Sequence, residues 1–303
     1  MEKICVLMST YNGELYLRQQ IDSILTQNGV IVDLLVRDDG STDKTIEILT
    51  EYKSKGLLNF YKGENIGPAL SFMDLINNAP ECKYYSFSDQ DDIWDKDKLK
   101  VAIDFIRDIA KSKPVLYHSN LRVVDHQLKF YRNAHNCIEY DKNKYSALLI
   151  NYGTGCTEVF NDELIRLVKN KKPEYIGMHD WWLYAIAKMF GVVVYDAVPH
   201  ISYRQHGKNV IGLKLRTNNI NYLINKVKRI YTNKEEIRRK FASSFFESYK
   251  NELTAEDVKV FSVIVNYKTS VINKVKFVFS KHLKTKSTIR NIFLVGLVVL
   301  NRL

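Results

Sequence analysis

The sequence has little that would tie it into a disulfide-braced or membrane-spanning protein. Four of its 303 residues are cysteine. Cys5, Cys82, Cys137 and Cys156 stand far apart with no C-x-x-C spacing, which speaks against a disulfide framework or a thiolate zinc site. They read as reduced, buried thiols of a cytoplasmic protein. No long apolar run precedes Ser9, so no signal peptide is expected. The strongest later apolar stretch, Ile292 to Leu300, has nine residues, whereas a spanning helix needs about 20. Such a segment can lie on a membrane but should not cross one. Internal repeats and low-complexity segments are also missing. With 46% hydrophobic and 26% charged residues, the chain is globular, long enough for one large domain with an appendage.

Negative charge is scarce in the last third. Residues 1–207 carry a net charge of −3 and residues 208–303 one of +14, so the whole excess of +11 sits in the tail. That asymmetry points to an anionic partner, a membrane surface or a nucleic acid.

In the first half, short apolar runs alternate with amphipathic stretches, the pattern of a mostly parallel α/β sheet flanked by helices. Strands are expected at 4–8, 33–39, 58–63 and 83–89, with helices over 15–26, from Thr42-Asp43 onward, and over 67–78. The half from 116 to 210 is more mixed. It holds a strand at 115–125, helices over 158–170 and 180–190, and a strand at 192–196. Beyond Gly207 the pattern turns helical and basic, with Ile220, Leu223, Ile224, Val227, Ile230 and Tyr231 at helical spacing. The expected domains are 1–210, divided into halves at 1–115 and 116–210, and a helical extension over 211–303.

Three polar clusters follow the expected strands: Ser9 to Gly13, Asp38 to Asp43 and Ser88 to Trp94. Ligands of open α/β sheets bind outside the carboxyl ends of the strands, so these clusters are expected to share one crevice. In Asp89-Gln90-Asp91-Asp92 the carboxylates raise one another's pKa, a repulsion that hard Mg²⁺ or Mn²⁺ relieves while bridging to a diphosphate. The competing reading is a solvated acidic turn. A carboxylate in Arg37-Asp38-Asp39-Gly40 can accept from a nucleobase N–H, or simply sit at a strand exit with Asp43 capping a helix. Tyr11 offers a ring for that base and Gly13 a close backbone approach.

Together S-T-Y-N-G, R-D-D-G-S-T-D-K-T, E-N-I-G and S-D-Q-D-D-I-W resemble glycosyltransferase family 2 in order and spacing over about residues 1–120. The resemblance implies a GT-A type, Rossmann-like fold, with 1–115 as the nucleotide-sugar-binding half and 116–210 as the acceptor half, and inversion at the anomeric carbon. It implies nucleotide-sugar contacts at Thr10, Tyr11, Asn12, Asp39, Asn65, Gly67, Asp89 and Gln90, with Asp89 and Asp91 as the D-x-D pair and Mn²⁺ or Mg²⁺ as cofactor. The later H-D-W-W and Y-R-Q-H-G-x-N motifs are similar to bacterial rhamnosyltransferases of polysaccharide assembly. They imply dTDP-rhamnose as donor, with a UDP-hexose as the alternative, and a glycan or lipid-linked acceptor. Y-R-Q-H-G replaces the Q-x-x-R-W of processive synthases, which argues against polymerisation.

Asp180 is the candidate general base, although a residue just before a helix can equally be its N-cap. His179 would orient it, and Trp181 and Trp182 are core residues or a sugar platform. Asp92 and Trp94 are supporting or acceptor-side candidates. His206 is a candidate metal ligand beside Asp91, and Arg204 a diphosphate contact on a loop able to close. The basic tail is expected to lie peripherally on the anionic inner face of the cell membrane, or to form a homo-oligomerisation arm. A nucleotidyltransferase would want a basic glycine-rich loop after the first strand, and no Lys or Arg precedes Arg18 there. No nucleic-acid partner is expected, because the first part is acidic and carries no recognised binding motif.

Overall fold

A computed structural model describes residues 1–109, 113–134, 142–207 and 236–303. The chain divides into two compact units. One comprises residues 1–138, 152–170 and 178–213; the other comprises 139–151, 171–177 and 214–303.

The first unit is built on a nine-stranded sheet of order β3-β2-β1-β4-β8-β6-β9-β5, with β7 paired to β6. The strands are β1 (Glu2–Thr10), β2 (Val30–Asp38), β3 (Asn59–Lys62), β4 (Tyr84–Ser88), β5 (Ile93–Trp94), β6 (Val115–Val124), β7 (Phe130–Asn133), β8 (Val159–Asn161) and β9 (Val192–Arg204). Helices α1 (Leu17–Leu25), α2 (Thr45–Ser54), α3 (Pro68–Asn78), α4 (Lys98–Ile106), α5 (Asp162–Val168) and α6 (His179–Phe190) link them. β1 pairs in parallel with β2 and β4, β2 with β3, and β6 with β9, and these ladders hold most of the paired residues. The mixed α/β, mostly parallel architecture is therefore the one expected. β4 and β1 are almost wholly buried, as a strand covered by helices on both faces must be.

Departures from expectation fall in the second half of this unit. The helix expected over 158–170 begins with a strand. Val159, Phe160 and Asn161 are all buried and pair antiparallel with β4 and β6, and the Asn161 side chain then caps α5 by accepting from Leu164 N–H. A three-residue strand followed at once by a helix leaves no periodicity to read. β5 and β7 escaped notice for the same reason of length. β9 runs to Arg204 rather than Asp196, its register against β6 shifting between Ser119 and Arg122. Irregular pairing there admits Pro199, which lacks a ladder donor.

Gly191, between α6 and β9, is held so close to β6 that an added Cβ would meet the Pro114 carbonyl oxygen at 1.9 Å. Gly191→Ala must shift backbone rather than a side chain. A loss of at least about 1–3 kcal/mol is expected in denaturant unfolding, the usual range for overpacking.

Within the second unit, Phe241, Phe245, Tyr249, Phe261 and Tyr267 are fully buried. Its helices are Ile237–Tyr249, Ala255–Val265, Val271–Phe279 and Thr288–Val299. Ala255–Val265 opens with a reciprocal capping box between Thr254 and Asp257. The helical stretch expected at 220–231 lies outside the described residues, as does Cys137. Among the described residues no helix is long and apolar enough to cross a membrane.

Candidate active site

Because β1, β2 and β4 run in parallel, their carboxyl ends meet at one edge, with Thr10 opposite Asp38 and Met8 opposite Ser88. The three polar clusters converge there. Asp38 accepts from Thr10 Oγ1 (3.0 Å), Ser41 Oγ (2.5 Å) and the Gly40 and Ser41 amides. This network fixes the turn after β2. The loop after β1 is laced to it: Asn12 Oδ1 accepts from Thr42 N–H at 2.8 Å, and Asn12 N–H donates to Ser41 Oγ at 2.9 Å. Asn12 thus serves the loop itself, from the left-handed region at φ 48°. Tyr11 is 49% exposed and leaves its ring free to stack.

Gln90 joins the third cluster to the first. Its amide accepts from Tyr11 N–H (2.9 Å) and donates to Tyr11 C=O (3.0 Å), as a neighbouring strand would. A Cβ on Gly13 would lie 2.2 Å from Gln90 Oε1, so this glycine makes room for Gln90.

Asp39 is 3% exposed. Its Oδ1 accepts from Arg37 Nη1 (2.5 Å) and Ile66 N–H (3.0 Å), and its Oδ2 from Gly67 N–H (3.0 Å). Arg37 also holds Asp74, Ser71 Oγ and the Glu64 carbonyl. Gly67, at φ 79°, is the residue from which α3 starts, while Asn65 is exposed beside it. The D-D-G and E-N-I-G segments are therefore one bonded unit. The sequence signal for this buried ion pair was Arg37 directly after the apolar run Leu34-Leu35-Val36.

The acidic loop after β4 is crowded. Burial, then Asp91, then Asp180 push the Asp89 carboxyl up to about 7. Asp92 is fully buried, with Oδ1 accepting from Arg204 N–H and Oδ2 without a hydrogen-bond partner. Burial and its two acidic neighbours raise it well above the carboxylate range. Asp91 Oδ2 lies 2.7 Å from His206 Nε2. Arg204, 2% exposed, ends β9 and is engaged with the Asp91 and His126 carbonyls and with Gln19 Oε1. Its guanidinium also covers the Tyr16 ring at 4.4 Å. Arg204 is placed as a clamp on the acidic loop.

Asp180 occupies the first turn of α6, whose N-cap is Met178. Its Oδ2 accepts from Gly155 N–H at 3.2 Å and its Oδ1 from Trp181 N–H at 2.6 Å. The influence of Asp180 on Asp89 brings the expected base into the same acidic group as the D-x-D pair.

His179 does not bond Asp180. Its ring stacks on Phe72 (3.9 Å between centroids) and meets Phe87 edge-on (4.8 Å), and both nitrogens are buried without hydrogen-bond partners. Burial pushes its pKa down to about 3. Between pH 6.5 and 3 the unfolded chain takes up a proton that the folded chain refuses, so stability falls as pH drops through that window. His179→Leu is expected to flatten that acid limb by up to about 1.4 kcal/mol per pH unit in unfolding experiments. Trp182 is fully buried and Trp181 is 9% exposed, which makes Trp182 a core residue.

Three buried groups behind the site were not singled out for it from the sequence. Lys98 is 1% exposed, with Nζ 3.7 Å from the Trp94 ring centroid, and burial lowers its pKa to about 7. Glu158 is fully buried with neither carboxyl oxygen bonded, and burial, then Asp180, raise it well above its usual range. Cys156 lies beside Asp89 and Asp92, its thiol raised by burial. The other thiols differ in setting, with Cys5 buried and Cys82 only partly so, and all three described cysteines are free. Glu158 had a signal, a lone charge in the run C-T-E-V-F.

The sequence model of glycosyl transferase family 2 matches residues 5–165. Over 224 residues the chain is 31% identical to the dTDP-rhamnosyl transferase RfbG of Shigella flexneri, covering 69% of this chain and 74% of that protein. It is also 31% identical over 105 residues to the putative teichuronic acid biosynthesis glycosyltransferase TuaG of Bacillus subtilis, 34% of this chain and 41% of that one. Among solved structures, S. aureus TarS 1–349 in complex with UDP-GlcNAc shares the fold with a TM-score of 0.55 at 18% identity, covering 98% of this chain and 90% of that one. The matched span takes in more than half of the sequence, including the loops that build this edge of the sheet, and the chain belongs to glycosyl transferase family 2.

Proposed function

We propose that this enzyme is an inverting transferase that moves L-rhamnose from dTDP-rhamnose to a hydroxyl of a lipid-linked glycan during bacterial cell-surface polysaccharide synthesis. It would work peripherally on the cytoplasmic face of the cell membrane. The observation that carries the reaction type is the gathering of Asp89, Asp91, His206 and Asp180 at the carboxyl edge of the sheet. The similarity to RfbG of Shigella flexneri supports the donor.

The donor set fits a divalent cation. Three carboxylates crowd one loop, and among the described residues no Lys or Arg side chain is recorded within ion-pair distance of Asp89, Asp91 or Asp92. Asp89, Asp91 and the His206 imidazole would hold it. The Cys156 thiol, raised by burial, suits a hard cation poorly. When bound, Mn²⁺ or Mg²⁺ supplies charge neutralisation to the departing diphosphate. The protein residues do the rest. Tyr11 stacks on the base and Asp39 accepts from it, with Thr10, Asn65 and Gly67 completing the donor pocket and Gln90 bracing the Tyr11 loop. Asp180 takes the proton of the acceptor hydroxyl as its oxygen bonds to the anomeric carbon. The bond from that carbon to the diphosphate breaks on the opposite face, and the nucleoside diphosphate leaves.

The test is nucleoside diphosphate release from dTDP-rhamnose, UDP-hexoses and GDP-sugars, with lipid-linked acceptors, with Mn²⁺ or Mg²⁺ and with EDTA. Metal-dependent turnover of dTDP-rhamnose is expected. Turnover of a UDP-hexose instead would replace the donor while keeping the reaction.

A further inference from the structure

Two neighbouring helices of the second unit, Val271–Phe279 and Thr288–Val299, pack against one another. Each leaves a row of large apolar side chains in solvent. On the first these are Val271 (76% exposed), Ile272 (68%), Val275 (49%) and Phe279 (76%). On the second they are Ile289 (75%), Ile292 (67%) and Val299 (62%). The spacings of three, four and seven residues keep each row on one helix face. Phe277, Leu294, Leu297 and Val298 on the other faces are buried, so the inward stripe is already satisfied and the outward one is additional. Scattered apolar residues on a surface need no explanation, but two aligned rows do.

Charge identifies the partner. From Val258 to the last residue there are nine Lys and Arg and no Asp or Glu. Lys276, Lys281 and Lys284 are exposed beside the apolar rows. Cover from within the chain is electrostatically disfavoured, because residues 208–234 carry seven Lys and Arg and no acidic residue. A second copy meeting through the same two helices would likewise set cation against cation. The complementary surface is apolar within and anionic at its rim, which is a bilayer containing acidic phospholipid.

We propose that these two helices are the membrane-binding face, with Phe279, Ile272, Ile289 and Ile292 entering the acyl boundary and the lysines resting on lipid phosphates. This rests on the reading that the enzyme works peripherally on a membrane, and it assigns the contact to particular side chains. The two can fail separately.

The experiment is co-sedimentation of the full chain with vesicles of phosphatidylglycerol and phosphatidylethanolamine, against phosphatidylcholine alone. The variants are Ile272→Glu/Phe279→Glu, Ile289→Glu/Ile292→Glu, and Lys276→Glu/Lys281→Glu/Lys284→Glu. Val258→Glu, on the helix Ala255–Val265, is the control. All change exposed side chains, and circular dichroism checks their folding. Wild type is expected to bind the anionic vesicles, each face variant at least tenfold more weakly, and the control as wild type. Binding of face variants equal to wild type overturns the face while leaving the membrane reading intact. No binding by wild type overturns both. Dissociation of a wild-type dimer by the face substitutions, seen by sedimentation velocity, assigns the rows to a second copy and overturns the lipid proposal.

Discussion

Asp180→Asn is expected to lower turnover by about 10²–10⁴, the usual range for loss of a general base, with donor binding nearly unchanged. The carboxylate accepts from two backbone amides, Gly155 N–H and Trp181 N–H. An amide has one acceptor atom, so Asn can retain only one of those bonds and turns its NH₂ toward the other donor. A loss of about 1–3 kcal/mol in stability is expected alongside the catalytic defect. The two effects separate in the assay. A merely structural aspartate would give a destabilised enzyme whose folded fraction still turns over at the normal rate. A base gives a folded enzyme that binds nucleotide sugar and does not transfer. Near-normal turnover per folded molecule would withdraw the role.

What the sequence made legible follows from how each feature is built. β1 and β2 are nine-residue, mostly apolar strands and β4 is a fully buried aromatic-rich one, all ending in polar turns, and the clusters after them lie where the strand-end rule puts them. β5, β7 and β8 have two to four residues each, too few for a periodic pattern, and β5 and β8 take their conformation from partners far away in the chain. At the site, sequence could say which residues are present but not which way they face. Gln90 and Asn12 look like ligand-binding amides, yet both are occupied by backbone groups of the neighbouring loops. His179 stands next to Asp180 in sequence, while its ring turns into the aromatic pair Phe72 and Phe87. Adjacent residues on a helix point about 100° apart, so sequence adjacency argues against contact there. The pairing of Asp91 with His206, 115 positions away, rested on ligand chemistry alone, since an imidazole can complete a metal site, because nothing local connects them.

Asp91→Asn is expected to reduce kcat/KM by at least about 10²–10³, comparable to removing one preorganised group from a site that stabilises developing charge. The argument lies in what the acidic loop costs the folded protein. Asp89 and Asp92 are both raised by burial and by Asp91, so the chain holds repelling carboxylates together, and among the described residues no Lys or Arg side chain forms an ion pair with them. A loop selected for stability alone would not keep that arrangement, and strained groups of this kind concentrate at functional sites. Removing the Asp91 charge relieves its neighbours, so in EDTA the variant is expected to be at least as stable as wild type despite its lost activity. With Mn²⁺ the order reverses: wild type gains thermal stability by mass action and the variant gains little. His206→Ala added to Asp91→Asn should lower activity little further, because residues acting as one unit are not additive. Thermal unfolding with and without Mn²⁺ reads the site independently of transfer. Full activity of Asp91→Asn both with and without chelator would remove the metal from this loop, and equal stabilisation of both proteins by Mn²⁺ would move it elsewhere in the chain.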